Sequence, residues 1–239
     1  MIGTPSKRDR GSPPAHQPFT TWSETGDPGT SPSPLQGFLS SVQNSVDMKI
    51  IALNGSPRPI GNCSNILNEV QDLFEREGIE MEVVHLYEYR FTNCNVCMTC
   101  EIRGDGRCMD EDDGFNDILD TLRGADGIFM IAPSYAGACP SVMQTFLERA
   151  ALVFEKGDQG LAGKVGGAVA VCAHDGADLV YDQMVRFMLR NRMAVCGSNP
   201  MPIIRALNSP QYSDDVRGMK GVHSLVEGMT SLIMKLNGY

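Results

Sequence analysis

The 239-residue sequence lacks both a long apolar run and an excess of basic residues. No stretch approaches the ~18 consecutive apolar residues of a membrane-spanning helix, and the N-terminus lacks the apolar segment of a secretory signal. Lys and Arg number 20 against 29 Asp and Glu, and the net charge is −9. Because nucleic-acid binding depends on clustered Lys and Arg, we do not expect the protein to bind nucleic acid. Without a membrane-spanning run or a secretory signal, we expect a cytoplasmic protein that does not bind membranes.

Residues 1–47 differ in composition from the remainder of the chain. They are rich in Pro, Ser, Gly and Thr and show no sustained hydrophobic period. Such a segment cannot bury enough apolar surface to form a core, so we predict a disordered N-terminal extension. Residues 48–239 carry regular hydrophobic patterns, which predict one folded domain.

Short buried-strand patterns alternate with helical patterns throughout this domain. Strands are predicted at "MKIIALN", "MEVVHL", "GIFMIA", "VGGAVAVCA" and, more weakly, "MAVCG". Helices are predicted over residues 64–77, after Asp112 or Asp113, over 141–154, over roughly 177–192, and along the periodic run from Val222 to Leu236. Five strands alternating with five helices indicate an α/β protein with a doubly wound parallel sheet, in which ligands bind at the carboxyl ends of the strands.

The loop after the first strand, "NGSPRPIGNCSN", leads directly into a helix. Ser56, Asn62 and the backbone N–H groups near Cys63 offer hydrogen-bond donors at a helix N-terminus, and Arg58 adds positive charge. These features are compatible with a phosphate-binding loop, but the loop matches neither the Walker P-loop nor GxGxxG and does not by itself decide between two interpretations. The alternative is a simple connection in which Asn62 or Ser64 only caps the helix.

The loop after the third strand, "APSYAGACP", contains a bent backbone and one aromatic side chain. Pro133 and Gly137 bend the chain, and Tyr135 presents a flat face suited to lie beside a planar ring. The alternative is that Tyr135 merely covers the top of the sheet.

Taken together, the two loops resemble those of the flavodoxin-like NAD(P)H-dependent FMN reductases. The matching segments are "MKIIALNGSPRPIGN" and "GIFMIAPSYAGACPSVMQTFLERA". The resemblance implies a flavodoxin-like, five-stranded parallel sheet of order 2-1-3-4-5 with helices on both faces. One departure is Cys63, where Thr or Ser is usual, but its backbone N–H can still serve. The resemblance implies that FMN phosphate binds at Ser56, Arg58, Asn62 and Cys63, and that the flavin ring lies along Pro133, Ser134, Tyr135, Ala136 and Gly137.

A cysteine-rich loop, "NCNVCMTCEIRGDGRCMDEDDGF", follows the second strand. The C-x2-C-x2-C spacing with a fourth cysteine at 108 is commoner in iron–sulfur ligation than in zinc sites, although zinc and unmetallated thiols remain alternatives. The loop also resembles that of the iron–sulfur flavoprotein branch of the same family. This resemblance implies a 4Fe–4S cluster held by Cys94, Cys97, Cys100 and Cys108, at the same edge of the sheet as the flavin. The acidic run after Cys108 is interpreted as a helix cap.

These predictions together indicate an FMN-dependent oxidoreductase that needs no catalytic side chain. Electrons would pass between NAD(P)H or a ferredoxin-like donor, FMN and the cluster, with a small molecule or a redox protein as partner. The resemblance further implies a homo-oligomer, a homodimer or homotetramer, in which flavin and cluster of neighbouring subunits approach each other. The alternatives are a cluster-free NAD(P)H-dependent FMN or quinone reductase and a non-enzymatic flavin electron carrier.

His174 is interpreted as a solvated loop residue rather than a catalytic one.

Overall fold

The structure is a computed structural model that describes residues 48–110 and 112–239. The predicted disordered extension, residues 1–47, lies outside the described residues and stays a prediction. The strands are β1 Lys49–Asn54, β2 Glu80–His85, β3 Gly127–Pro133, β4 Val165–Cys172, β5 Ala194–Val195 and β6 Ile203–Arg205. The helices are α1 Asn62–Arg76, α2 Thr99–Arg103, α3 Phe115–Arg123, α4 Ser141–Lys156, α5 Ala177–Arg190 and α6 Val216–Leu236.

The strands form one parallel sheet in the order β2-β1-β3-β4-β5, which confirms the predicted flavodoxin-like topology. The sixth strand, β6, was not predicted and also pairs with β4. β5 pairs with the start of β4 and β6 with its end, so the two short strands share the fifth position of the sheet. Pro200 and Pro202 separate them, because proline cannot donate to a strand ladder.

Helices cover both faces of the sheet. Strand residues alternate between the faces, so Ile51 and Leu53 pack under α3, α4 and α5, whereas Ile50 and Ala52 pack under α1 and α6. All four side chains are fully buried. Over the ranges that the structure describes, no helix has the length and apolar character needed to cross a membrane.

Candidate functional site

The loop between β1 and α1 is held in place by the last residue of β1. Asn54 is completely buried, and its Oδ1 accepts a hydrogen bond from the Ser56 backbone N–H at 2.9 Å. Its Nδ2 lies 3.1 Å from His85 Nδ1 at the end of β2. The Arg58 backbone N–H then donates to Ser56 Oγ at 3.3 Å. The loop therefore has a defined shape at the carboxyl edge of the sheet.

The start of α1 lacks an ordinary cap. The helix begins at Asn62, its N-cap is Gly61, no side chain accepts a capping hydrogen bond, and its first turn contains no acidic residue. This contradicts the alternative in which Asn62 or Ser64 only caps the helix. The Ser64 hydroxyl is buried and has no hydrogen-bond partner among the described residues. Uncapped N–H groups suit an anionic ligand at this end of the helix.

Asn62 has a second role that the sequence pattern did not indicate. Its Oδ1 accepts a hydrogen bond from the Tyr212 backbone N–H at 3.3 Å, and its Nδ2 donates to the Ala206 carbonyl at 3.4 Å. The side chain of Asn62 thus ties the start of α1 to the segment after β6. Its backbone N–H remains the group suited to an anion.

The loop after β3 is a tight turn. Tyr135 and Ala138 exchange backbone hydrogen bonds of 3.0 and 3.1 Å, and both residues between them have positive φ, 51° for Ala136 and 76° for Gly137. The Ser134 N–H donates to the Val171 carbonyl at 2.7 Å, which anchors the turn to β4.

The two predicted loops meet in one open cleft. Ser56, Arg58, Asn62 and Cys63 line one side, and Pro133, Ser134 and Tyr135 line another. Ala136 and Gly137 shape the turn but are not part of the cleft wall. The wall also includes residues that sequence reasoning missed, from the ends of β4 and β6: Val171, Cys172, Ala173, Ala206 and Leu207. His174 is exposed and lies outside this wall, as the loop interpretation predicted.

The four cysteines of the cysteine-rich loop line a separate cavity of about 200 Å³. None of them forms a disulfide. Within residues 48–110 and 112–239, no three Cys, His, Asp or Glu side chains lie close enough to hold a single metal ion. The cavity wall also contains the cations of Arg149 and Lys156 and the apolar side chains of Val96, Met98, Met109, Leu152 and Val153.

The backbone of the cysteine loop is unusual. Val96 and Met98 have positive φ, 56° and 59°, a conformation that a β-branched residue such as valine rarely adopts. The Val96 N–H donates to Cys94 Sγ at 3.4 Å, and the Cys97 N–H donates to Asn95 Oδ1 at 3.1 Å. Such strain occurs mainly at ligand-binding segments.

Two buried polar residues hold Cys108, and sequence reasoning missed both. Asn116 accepts from the Cys108 N–H at 2.9 Å and donates to the Cys108 carbonyl at 3.1 Å. Arg149 donates to Cys108 Sγ from Nε at 3.3 Å and from Nη2 at 3.2 Å. The predicted cap at Asp112 or Asp113 is wrong, because the N-cap of α3 is Gly114 and no side chain caps it. Asp113 instead accepts a hydrogen bond from the Phe115 N–H at 3.0 Å and pairs with Arg149.

The surroundings of the thiols shift their pKa values in different directions. Burial raises the pKa of Cys63 and of Cys139 to about 12, which leaves both as neutral, unreactive thiols. A hydrogen bond from the Thr99 side chain lowers the pKa of Cys97, whereas burial raises the pKa of Cys100. Cys172 and Cys196 are also buried.

The cysteine cavity and the cleft lie at different places along α4. The cysteine loop begins at the predicted carboxyl edge of the sheet, but its cavity is walled by Arg149, Leu152, Val153 and Lys156 in the second half of α4. The cleft includes the β3 loop that precedes Ser141, the first residue of this helix. At 1.5 Å per residue, Arg149 lies about 12 Å along the helix from Ser141. The expectation that the thiols lie at the same edge of the sheet as the flavin stays a prediction.

Comparison with known proteins identifies the family. Residues 48–205 match the family model of NADPH-dependent FMN reductases. An iron–sulfur flavoprotein of Methanocaldococcus jannaschii is 35% identical over 154 residues, which cover 64% of this chain and 77% of the relative. An iron–sulfur flavoprotein of Methanosarcina thermophila is 30% identical over 154 residues, covering 64% of this chain and 78% of the relative.

Solved structures share the fold. RosB, crystallised with 8-demethyl-8-formylriboflavin 5′-phosphate, superposes with a TM-score of 0.65 at 22% identity, covering 80% of each chain. The NAD(P)H:acceptor oxidoreductase FerB of Paracoccus denitrificans superposes with a TM-score of 0.58 at 16% identity, covering 79% of this chain and 98% of FerB. The sequence match over most of the domain and the confirmed topology agree. The chain belongs to the NADPH-dependent FMN reductase family of oxidoreductases, in its iron–sulfur flavoprotein branch.

Proposed function

We propose that the protein is an FMN-dependent oxidoreductase that passes electrons between a donor, FMN and a 4Fe–4S cluster. The donor is NAD(P)H or a ferredoxin-like protein, and the acceptor is a small molecule or a redox protein. The observation that carries the proposal is that Cys94, Cys97, Cys100 and Cys108 line one cavity in a chain whose other loops form a cleft at the carboxyl edge of the sheet.

The cleft residues fit the two ends of FMN. The uncapped N–H groups at the start of α1 and the Arg58 guanidinium suit the phosphate, because both supply donors and positive potential. Pro133, Ser134 and Tyr135 offer the surface for the isoalloxazine ring. FMN when bound supplies both hydride and single-electron chemistry, while the chain binds and orients it.

The donor set of the cysteine cavity suits a 4Fe–4S cluster. Four cysteine thiols line this cavity together with the cations of Arg149 and Lys156. Four thiolates with a cluster form an anionic group, which these cations stabilise, and backbone N–H donation to Cys94 Sγ acts in the same sense. The residues that would hold the cluster are Cys94, Cys97, Cys100 and Cys108.

The separation of the two sites along α4 supports assembly into a homodimer or homotetramer. The cysteine loop exposes Val96, Met98, Ile102 and Met109, whose exposed fractions are 63%, 37%, 82% and 53%. An apolar surface of this kind on a ligand-bearing loop is suited to contact a second subunit. Such a contact brings the cysteine cavity of one chain toward the cleft of another.

Metal and flavin analysis of anaerobically purified protein tests the proposal. We expect about four iron and four sulfide per FMN, with near-complete loss of iron in Cys97→Ser. Cys196→Ser is the matched control, because this buried thiol lies outside both sites. Flavin without iron in the wild type would instead support the cluster-free reductase. Absence of NAD(P)H oxidation and of reduction by ferredoxin would support a non-enzymatic carrier.

A further inference from the structure

Arg149 is a charged residue in an apolar position. Its side chain is only 2% exposed, and it lies on the stripe of α4 that also buries Phe146, Ala150 and Val153. Burying a cation without partners destabilises the folded state, so a buried arginine needs polar contacts that offset the lost hydration.

Most of the guanidinium is fixed by the surrounding chain. It pairs with the Asp113 carboxylate, donates to the Thr92 and Asp110 carbonyls at 3.3 Å each, and lies 4.2 Å from the centre of the Phe115 ring. An arginine guanidinium keeps its charge in proteins, and these contacts prevent it from turning away from its neighbours.

The remaining contacts are both directed at one sulfur. Nε and Nη2 lie 3.3 and 3.2 Å from Cys108 Sγ, so two donors of the planar fork converge on it. Asn116 independently fixes the backbone of the same cysteine. The fold thus holds both the backbone and the sulfur of Cys108 in place.

We infer that Arg149 is a positioning residue for Cys108 and that its two hydrogen bonds raise the reduction potential of the cluster held at this site. The inference rests on the proposed function. Reduction adds one electron from the donor without breaking a bond, and part of the added charge resides on the ligand sulfurs. Donors to sulfur stabilise that charge, so they favour the reduced form, and they also slow the release of the ligand.

Four variants separate this role from simple structural support. Arg149→Met removes the donors but leaves Asp113 unpaired, so the double variant Arg149→Met with Asp113→Asn removes the ion pair as a unit. Asp113→Asn alone keeps the donors on Cys108, and its amide oxygen can still accept from the Phe115 N–H. Arg149→Lys keeps the positive charge but cannot place two guanidinium donors on Cys108 Sγ. The measurements are the midpoint potential of the cluster, by redox titration with electron paramagnetic resonance, and the rate of iron loss to a chelator.

Loss of the donors is expected to shift the reduced-to-oxidised ratio about tenfold, equal to a potential about 59 mV lower for one electron. This shift, with faster iron loss, is expected in Arg149→Met and in the double variant, and in smaller degree in Arg149→Lys. Asp113→Asn removes a negative charge and is expected not to lower the potential. The FMN potentials should stay unchanged in all four.

Two results would overturn the inference. The first is a double variant whose cluster potential and rate of iron loss equal those of the wild type. The second is an Asp113→Asn variant whose cluster potential is lowered as much as that of Arg149→Met. If the double variant loses all iron while Asp113→Asn retains it, the positioning role is supported. Failure of the proposed function is distinguishable, because the wild type itself would then contain no iron.

Discussion

Arg58 and the start of α1 show how single residues prepare the anion site. Asn62, predicted to contribute to phosphate binding, uses its side chain to hold the segment after β6, which leaves the helix N–H groups and Arg58 as the donors for a phosphate. The Arg58 side chain is exposed at the cleft, so it is free to meet a ligand that enters from solvent.

Arg58→Ala is therefore expected to weaken FMN binding about tenfold, because one charge-assisted hydrogen-bonding partner of the phosphate is lost. Titration of the apoprotein with FMN, followed by quenching of flavin fluorescence, measures the dissociation constant. Arg76→Ala, at the other end of α1, is the matched control and should leave the constant unchanged. If both variants change the dissociation constant for FMN equally, Arg58 does not contact the phosphate.

Cys63 is expected to remain unmodified by iodoacetamide at pH 8 in the folded apoprotein and to become modified in urea. Burial raises its folded pKa to about 12 from an ordinary value of 9.0. Because the folded pKa is the higher one, the contribution of this thiol to stability is complete below pH 9 and is lost as pH rises toward 12. Mass spectrometry of labelled peptides measures the modification. Labelling of Cys63 in the folded protein at pH 8 would contradict its burial.

At the scale of elements, the cysteine loop is docked against the chain after α4. Gly106 is buried, has a φ of 70°, and its carbonyl accepts a hydrogen bond from Arg123. A Cβ at this position would overlap the Arg123 guanidinium and the Asp158 carboxylate. Gly104 also has positive φ, 63°, but open space surrounds its Cβ position.

Gly106→Ala is expected to destabilise the protein by about 2–4 kcal/mol, through left-handed strain and steric overlap together. Gly104→Ala is the matched control and should cost only about 1–2 kcal/mol, because it introduces the strain alone. Urea unfolding of the apoproteins gives both free energies. If the two variants lose equal stability, the close packing of the loop at Gly106 does not contribute to the free energy of unfolding.

At the scale of the whole molecule, two sites lie at different positions along one helix. The cleft is at the carboxyl edge of the sheet, and the cysteine cavity lies beside the second half of α4. Ile102, beside the cysteine cavity, is 82% exposed. In the proposed oligomer, electron transfer between the sites depends on how the subunits meet.

Ile102→Asp is expected to dissociate the oligomer and to slow electron transfer from flavin to cluster at least tenfold, because a charge cannot be buried unpaired in an apolar contact. Sedimentation gives the assembly state, and stopped-flow spectroscopy gives the transfer rate. Leu236→Asp, a 59% exposed position at the end of α6, is the matched control and should alter neither. Monomers with undiminished transfer would contradict the intersubunit route.

Local patterns were sufficient for much of this protein. Hydrophobic periodicity predicted the order of strands and helices, and the two loop motifs predicted the topology and the family, because these signals depend on residues close together in sequence. The same patterns identified the four cysteines as one group. The short strand β6 escaped prediction because three residues between prolines and a polar segment carry too little periodicity.

Only the tertiary structure decided what surrounds the cysteines and the cleft. Arg149 lies 41 residues from Cys108 in sequence, and no local pattern connects them. Its place on the apolar stripe of α4, three residues after Phe146, was the available signal, since a charge on a buried face needs a partner from elsewhere. The position of the cysteine cavity along α4 likewise results from packing between distant segments, which the sequence of either segment alone does not specify.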